Sequence, residues 1–390
     1  MRAPFAALIV VIAALFGGIW LGGHSASLPG PLQDFARDDD LAVVDASIER
    51  VHDDYYRGIS KKKLADEAIR GMVKGLDDRF SAYFDAAEYK KFREVTDARF
   101  SGIGVGVQPT ERGLRIVEVY DDAPADKAGL RKGDVIISAG GKRLADVPEE
   151  SATSLIKGPE GTRVALVVLR KGERISKRVT RAQVNIPVVE AEIEKRDGKR
   201  YSHVSLGQFS SGAHAEVYAG LRKGLEQDVD GIVFDLRGNT GGLVEEARLV
   251  ASAFLPDGEI VTTRGRSVKP RVYRATGDAV APKTPMVVLV DEGSASASEI
   301  VAGALQDRKR AKLVGTPTFG KGVFQQVIPL ENGGALDMTV GQYFLPSGRN
   351  IGGRGVARGK GLKPDVRVQD KQATERDEAL ERAISVLQSQ

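Results

Sequence analysis

The sequence predicts a mixed α/β fold: a core of alternating strands and helices, a small β-rich module inserted ahead of it, and a helical region near the amino-terminal end. Three observations carry this. From Tyr201 onward, apolar runs such as Gly231-Ile-Val-Phe-Asp-Leu236 and Met286-Val-Val-Leu-Val290 alternate with helix-length segments, the pattern of crossover units and a partly parallel sheet. Between Phe100 and Ala182 the texture is instead one of short strand-like runs, frequent turns and a single short helix over 150–157. Ahead of Phe100, apolar positions recur every three to four residues.

The 390 residues are 42% hydrophobic, enough for more than one core, and the length suggests two or three domains. A net charge of +4, with both signs interleaved, gives no basis for a nucleic-acid partner. The absence of cysteine excludes disulfides, thiolate metal sites and a Cys nucleophile. With no His-Glu-x-x-His motif either, no metal and no cofactor is expected.

Residues 4–22 form an uncharged run of 19 residues behind Arg2, about 28 Å as a helix and close to the thickness of a bilayer core. Residues 1–26 are therefore a cleaved signal peptide or an inner-membrane anchor, and the rest of the chain is exported to the cell envelope, periplasmic or otherwise extracytoplasmic. Residues 27–40, rich in Gly, Ser, Pro and Asp, read as a linker. In the region 41–99, Leu41, Val44, Ile48, Val51 and Tyr55 mark one helix, Leu64, Ala68, Met72 and Leu76 a second, and Asp85 caps a third carrying Tyr89 and Phe92.

The β-rich module spans 100–182, and the core with its terminal helix spans 183–390. In the core, helices are expected over 211–226, 243–254, 299–307 and 377–387, and strands over 201–206, 231–236, 286–290, 311–315 and 335–345. Ligands of such sheets sit outside the carboxyl ends of the strands, where both Gly241-Gly242 and the turn 293–298 fall. That turn carries Ser294, Ser296 and Ser298 among small residues. A sharp bend there exposes a hydroxyl at a helix N-terminus, where free N–H groups favour an oxyanion. A second turn, 316–320, delivers Lys321 between two glycines. Together these form a nucleophile and an amine base, or else a helix cap and a solvated turn.

The motifs narrow that choice. Gly293-Ser-Ala-Ser-Ala-Ser-Glu299, Ala302-Gly-Ala-Leu-Gln-Asp307 and Gly315-Thr-Pro-Thr-Phe-Gly-Lys-Gly-Val-Phe-Gln325 resemble the carboxyl-terminal processing (tail-specific) proteases, Ser-Lys endopeptidases with a PDZ domain. The resemblance implies a crotonase-like α/β core. It makes Ser296, 25 positions before Lys321, the nucleophile, Lys321 the base and Gln325 the group that orients the amine. It implies an oxyanion hole from the N–H of Ala297 and one from Gly241 or Gly242. The inserted module resembles a circularly permuted PDZ domain through Ala123-Pro-Ala-Asp-Lys-Ala-Gly-Leu130 and Lys132-Gly-Asp-Val-Ile136. Ser101, Gly102, Ile103, Gly104 and Val105 then stand at its carboxylate-binding loop, where a backbone nest and a strand edge receive a peptide tail.

The implied partners are protein substrates chosen by their C-terminal tails, with inner-membrane association, a homo-oligomer and a regulatory adaptor as further possibilities. Lysine, with an ordinary pKa of about 10.4, serves as base only when burial, with no carboxylate close by, disfavours its charge. Residues 316–324 contain no Asp or Glu, as that requires. Leu345 replaces the family's usual Thr without touching the chemistry, and the Gly/Arg-rich insert 352–360 is expected to be a solvated loop.

Three rivals are weaker. The histidines, His24, His52, His203 and His214, lack the motif context of a triad. Gly315 to Lys321 has phosphate-loop spacing, but Gly322 follows where a Ser or Thr is needed, and the next segment is a strand. A catalytically silent PDZ scaffold would have no use for an intact Ser296, Lys321 and Gln325.

Overall fold

The computed structural model describes residues 39–145, 147–353, 355–370 and 376–389. The apolar run 4–22 lies outside them; among the described residues no helix is long and apolar enough to cross a membrane. The chain divides into two units, Met1–Asp85 and Ala86–Gln390.

In the first unit, the helical spacing of apolar residues yields α1 (Asp39–Asp54) and α2 (Lys61–Lys74), followed by the short strand β1 (Ala82–Phe84). Ser60 caps α2 by accepting the Lys63 N–H at 3.2 Å.

The second unit opens with α3 (Ala86–Thr96) and continues into the β-rich module: β2 (Arg99–Gly102), β3 (Val105–Thr110), β4 (Gly113–Val119), α4 (Pro124–Lys127), β5 (Val135–Ala139), β6 (Lys142–Arg143), α5 (Glu149–Ile156), β7 (Arg163–Arg170), β8 (Glu173–Thr180) and β9 (Ala182–Asn185). Its antiparallel sheet runs β3-β4-β5-β7-β8, which leaves β3 at an edge. Strands β2 and β9 pair with each other and join the two ends of the module. Ile116, Ile136 and Val168 fill a core separate from that of the α/β region.

The α/β region contains β10 (Val189–Arg196), β11 (Lys199–Leu206), α6 (Ala213–Leu225), β12 (Gly231–Asp235), α7 (Val244–Ser252), β13 (Glu259–Gly265), β14 (Arg271–Arg274), β15 (Met286–Val290), α8 (Ala297–Asp307), β16 (Lys312–Gly315), β17 (Val323–Pro329), β18 (Ala335–Phe344), β19 (Val366–Arg367) and α9 (Glu378–Gln388). One sheet has the order β10-β11-β12-β15-β16-β19, parallel from β11 onward. Alternate residues of its strands face opposite layers: Ile232, Phe234, Val288 and Val290 join the larger core, and Val233, Val287, Leu289 and Val314 the core under α9. Burial on both faces explains the unbroken apolar runs. A second, antiparallel sheet has β18 flanked by β17 on one side and by β13, then β14, on the other.

Candidate active site

Strands β12, β15 and β16 lie side by side and parallel, so their carboxyl ends release three loops at one edge of the sheet. These are the glycine turn 236–242, the serine turn 291–296 and the lysine turn 316–322. Hydrogen bonds stitch them together. Ser294 Oγ donates to Leu236 O (2.8 Å), Ser298 Oγ to Asn239 O (2.7 Å), the Gly238 N–H to Asp291 Oδ1 (2.8 Å), and the Phe319 N–H to Ser294 O (3.0 Å).

This stitching separates the three serines. Ser294 and Ser298 are fully buried and spend their hydroxyls on backbone carbonyls of the glycine turn. Ser296 is half-buried, and it alone of the three sits at φ 56°, ψ −113°, outside the regions an L-residue ordinarily occupies. Such strain at a strand-to-helix elbow lifts a side chain out of the turn. The helix begins at Ala297 rather than at the expected 299, which puts Ser296 itself at the N-cap.

The two glycines differ as well. A Cβ on Gly241 would lie 2.8 Å from Ser296 Cβ and 3.0 Å from Ala297 N, so only glycine permits this approach to the elbow. The Gly241 N–H already donates to Asn239 Oδ1 (2.9 Å), while its carbonyl accepts the Phe209 N–H (3.0 Å). In a trans peptide the following N–H points the opposite way, so the Gly242 N–H is directed away from Phe209.

Lys321 Nζ donates to Gln325 Oε1 at 2.7 Å, and Gln325 Nε2 donates to Thr339 Oγ1 at 3.0 Å. The structure thus brings together the amine and the amide expected to orient it. The surroundings of Lys321 add two features that the sequence did not show. The insert 352–360 is exposed at Gly353, Val356, Arg358, Gly359 and Lys360, as a solvated loop would be, yet it is also bonded to the lysine turn. The Gly322 N–H donates to Gly355 O (2.8 Å), the Ala357 N–H to Gly320 O (2.9 Å) and the Gly359 N–H to Phe319 O (2.8 Å), while Lys321 and Val356 pair across an antiparallel bridge. The unsatisfied backbone of the lysine turn finds its partners in this strap. Nor is the turn free of carboxylates, because one arrives from the serine helix.

That carboxylate is Glu299, fully buried. Its Oε2 accepts the N–H of Ser296 (2.9 Å) and the N–H of Lys321 (2.9 Å); its Oε1 accepts the Gly320 N–H (2.7 Å) and the Thr318 hydroxyl. Burial raises its pKa above the ordinary carboxylate value, and the donors from Thr318, Lys321, Gly320 and Ser296 only partly offset this. Reading the sequence for side-chain chemistry missed this residue, although Ser296-x-x-Glu299 has capping-box spacing that could have revealed it. Tyr343, buried near Ser296 and Glu299, was missed too.

His24 lies outside the described residues, and the three described histidines are engaged elsewhere. His203 Nε2 pairs with Asp235 (3.1 Å), His214 Nδ1 with Glu246 (2.8 Å) and His52 Nδ1 with Ile59 O (2.7 Å).

In the β-rich module a cavity of about 160 Å³ lies between edge strand β3 and helix α5, lined by Phe100, Ile103, Gly104, Val105, Ile156 and Lys157 among others. Of the expected carboxylate-binding residues, Ile103, Gly104 and Val105 reach this cavity. Ser101 and Gly102 are instead in β2, paired with Gln183 and Ala182, and Ser101 Oγ donates to Gly158 O at 2.7 Å.

Comparison with known proteins identifies the family. The profile of Peptidase family S41 matches residues 200–368, that of the PDZ domain residues 101–180, and that of the activating protease CtpB N-terminal domain residues 25–88. The carboxy-terminal-processing protease of Bartonella bacilliformis is 37% identical over 82% of this chain and 73% of its own length. The carboxy-terminal processing protease CtpB of Bacillus subtilis is 30% identical over 95% of this chain and 78% of its own. Among solved structures, a protein described as an S41 protease from Bacteroides fragilis covers 86% of this chain and 91% of its own, with a TM-score of 0.52 and 18% identity, a likeness of fold.

Proposed function

On the premise that this chain belongs to peptidase family S41, as a carboxy-terminal processing protease, we propose that it is a serine endopeptidase of the cell envelope in which Lys321 activates Ser296. The observation that carries the reading is the shared carboxylate: a single oxygen of Glu299 holds the backbone N–H groups of both residues, which fixes the elbow and the lysine turn against each other.

In the reaction, the neutral Lys321 amine takes the Ser296 proton as Oγ attacks a peptide carbonyl, and later activates the water that clears the acyl-enzyme. Gln325 holds the amine through a neutral oxygen, which adds no charge to keep the proton in place. Ala297, at the first helical position beside Gly241, supplies one oxyanion donor, and Gly242 supplies the second by its orientation away from Phe209. The apolar cavity beside β3 takes the C-terminal residue of a protein tail added along the exposed strand edge. Export to the envelope rests on the apolar run 4–22.

The test compares tail-bearing peptide cleavage by wild type, Ser296→Ala and Lys321→Ala. Both variants should lose activity by several orders of magnitude while still binding the tail. Full activity in Ser296→Ala would remove the mechanism. Tail binding without cleavage by wild type would favour the silent scaffold.

A further inference from the structure

Tyr343 is fully buried in β18, yet among the described residues its hydroxyl has no hydrogen-bond partner of formed geometry. Buried polar groups are nearly always paired, and one left open is a cost to the fold that a phenylalanine of the same shape would avoid. The position of the ring makes the hydroxyl informative. Its neighbours are the Ser296 side chain and the Glu299 carboxylate, and its own backbone N–H donates to Gly322 O (3.2 Å), directly after Lys321. Asn350 Nδ2 braces the same strand by donating to both Tyr343 O (2.9 Å) and Gly322 O (2.7 Å). The phenol is thus held from behind, next to the nucleophile, and without a bond of formed geometry.

Building on the Ser296–Lys321 reading, we propose that Tyr343 orients the nucleophile: its O–H donates to Ser296 Oγ as the serine proton moves to Lys321. The Ser296 hydroxyl has one proton, which must point at the amine to be taken. A donor on the opposite side of Oγ fixes that rotamer, and the bond strengthens as Oγ gains negative charge. An interaction stronger in the transition state than in the ground state raises kcat. No bond to Tyr343 is made or broken, and the phenol keeps its proton throughout. Burial, and then the neighbouring Glu299 carboxylate, push its ionisation well above the ordinary tyrosine value, while the Ser296 hydroxyl works the other way. It therefore stays a donor across the working pH range.

Tyr343→Phe deletes only the oxygen. The expected result is a kcat lower by about 10- to 100-fold with KM within about twofold, and a melting temperature equal to or above wild type, because the uncompensated hydroxyl is gone. The rate of labelling by a fluorophosphonate, which reports Ser296 reactivity without tail binding, should fall by the same factor. Wild-type kcat and labelling in Tyr343→Phe would overturn the proposal. So would a parallel loss of melting temperature and kcat, which marks a packing role. Tyr343→Leu, which sacrifices packing as well, should melt lower yet react no faster than the phenylalanine variant; faster labelling in the leucine variant would also overturn it. Ser296→Ala serves as the control, since labelling that survives that change refutes the nucleophile rather than Tyr343.

Discussion

Glu299→Gln separates positioning from chemistry, because the carboxylate touches the backbone of both Ser296 and Lys321. The four donors are divided two to each oxygen. Glutamine keeps one acceptor oxygen, so two donors must face an NH₂ group. A hydrogen bond to a charged group is worth about 1.5–3 kcal/mol, so the gross loss is about 3–6 kcal/mol. Relief of the buried charge offsets part of it, leaving about 2–4 kcal/mol. A domain stable by about 5–15 kcal/mol survives this, with a melting temperature lower by several degrees. The site fares worse, because a displacement of about 1 Å costs about 100-fold in rate. Peptide-cleavage kinetics should therefore show kcat down about 100-fold with KM little changed.

The pH dependence adds a check. Because the folded pKa of Glu299 lies above its unfolded value of 4.5, the folded state holds a proton that the unfolded state releases between the two values. The contribution of this group to stability is therefore greatest below the unfolded pKa and declines as pH rises through the folded one. Glutamine has no such titration, so the melting gap between wild type and variant should widen on acidification. A variant with kcat within threefold of wild type would refute the positioning role.

Ser294→Ala and Ser298→Ala should retain activity within about tenfold and lose about 1–3 kcal/mol of stability each in denaturant titrations, since each abandons a buried carbonyl. Val356→Asp sets a carboxylate opposite Lys321. By favouring the ammonium it should move the acid limb of the kcat/KM profile to higher pH, whereas Val356→Leu should not. Ile156→Asp in the apolar cavity should raise KM for tailed peptides by at least about tenfold and leave tail-amidated peptides unaffected. Asp377 and Asp235 are each held below the ordinary carboxylate pKa: burial opposes this, but Arg237, with His203 helping at Asp235, outweighs it. Their stabilisation is present above the unfolded value of 3.8 and is lost as pH falls through the folded values. Asp377→Asn should therefore melt below wild type at pH 7, and the gap should close as pH falls below 3.8 and through the folded value.

The parallel strands were legible because burial on both faces demands runs such as Met286-Val-Val-Leu-Val290, whose observed bounds match the expected ones. Strand β10 was not, because its alternation of Val189, Ala191 and Ile193 with Glu190, Glu192 and Glu194 is a half-exposed pattern that pairing with β11 alone completes. Strands β13 and β14 escaped for a similar reason, since the Arg- and Thr-rich stretch 262–274 becomes a ladder only once β18 lies beside it. At the site, Ser296, Lys321 and Gln325 were expected from the family motif, with the 25-residue spacing to Lys321 choosing Ser296 among the three serines. Motif reading follows side chains that do chemistry and passes over those that hold backbone, which is how Glu299 was missed. The insert 352–360 is largely exposed, as its Gly and Arg content suggests, but composition gave no sign that it also braces the lysine turn. Its order comes from the unpaired N–H and C=O groups of the lysine turn, which composition cannot show.

A lysine base must be neutral before the reaction and charged during it, and the placement of Glu299 addresses both demands. A carboxylate bonded directly to the amine would hold the proton and quench the base. Here the two oxygens accept from three backbone N–H groups and one hydroxyl, and the Lys321 amine donates to the neutral oxygen of Gln325. In the proposed reaction the Glu299 charge, whose Oε2 also holds the Lys321 backbone N–H, favours the ammonium that forms once Ser296 has released its proton. The same charge opposes an oxyanion formed at Ser296, whose N–H shares that oxygen, and the proposed donors at Ala297 and Gly242 would have to outweigh it. Removing the Glu299 charge without disturbing the backbone would thus weaken the base while easing oxyanion formation. This predicts a slower proton-transfer step rather than weaker binding of substrate.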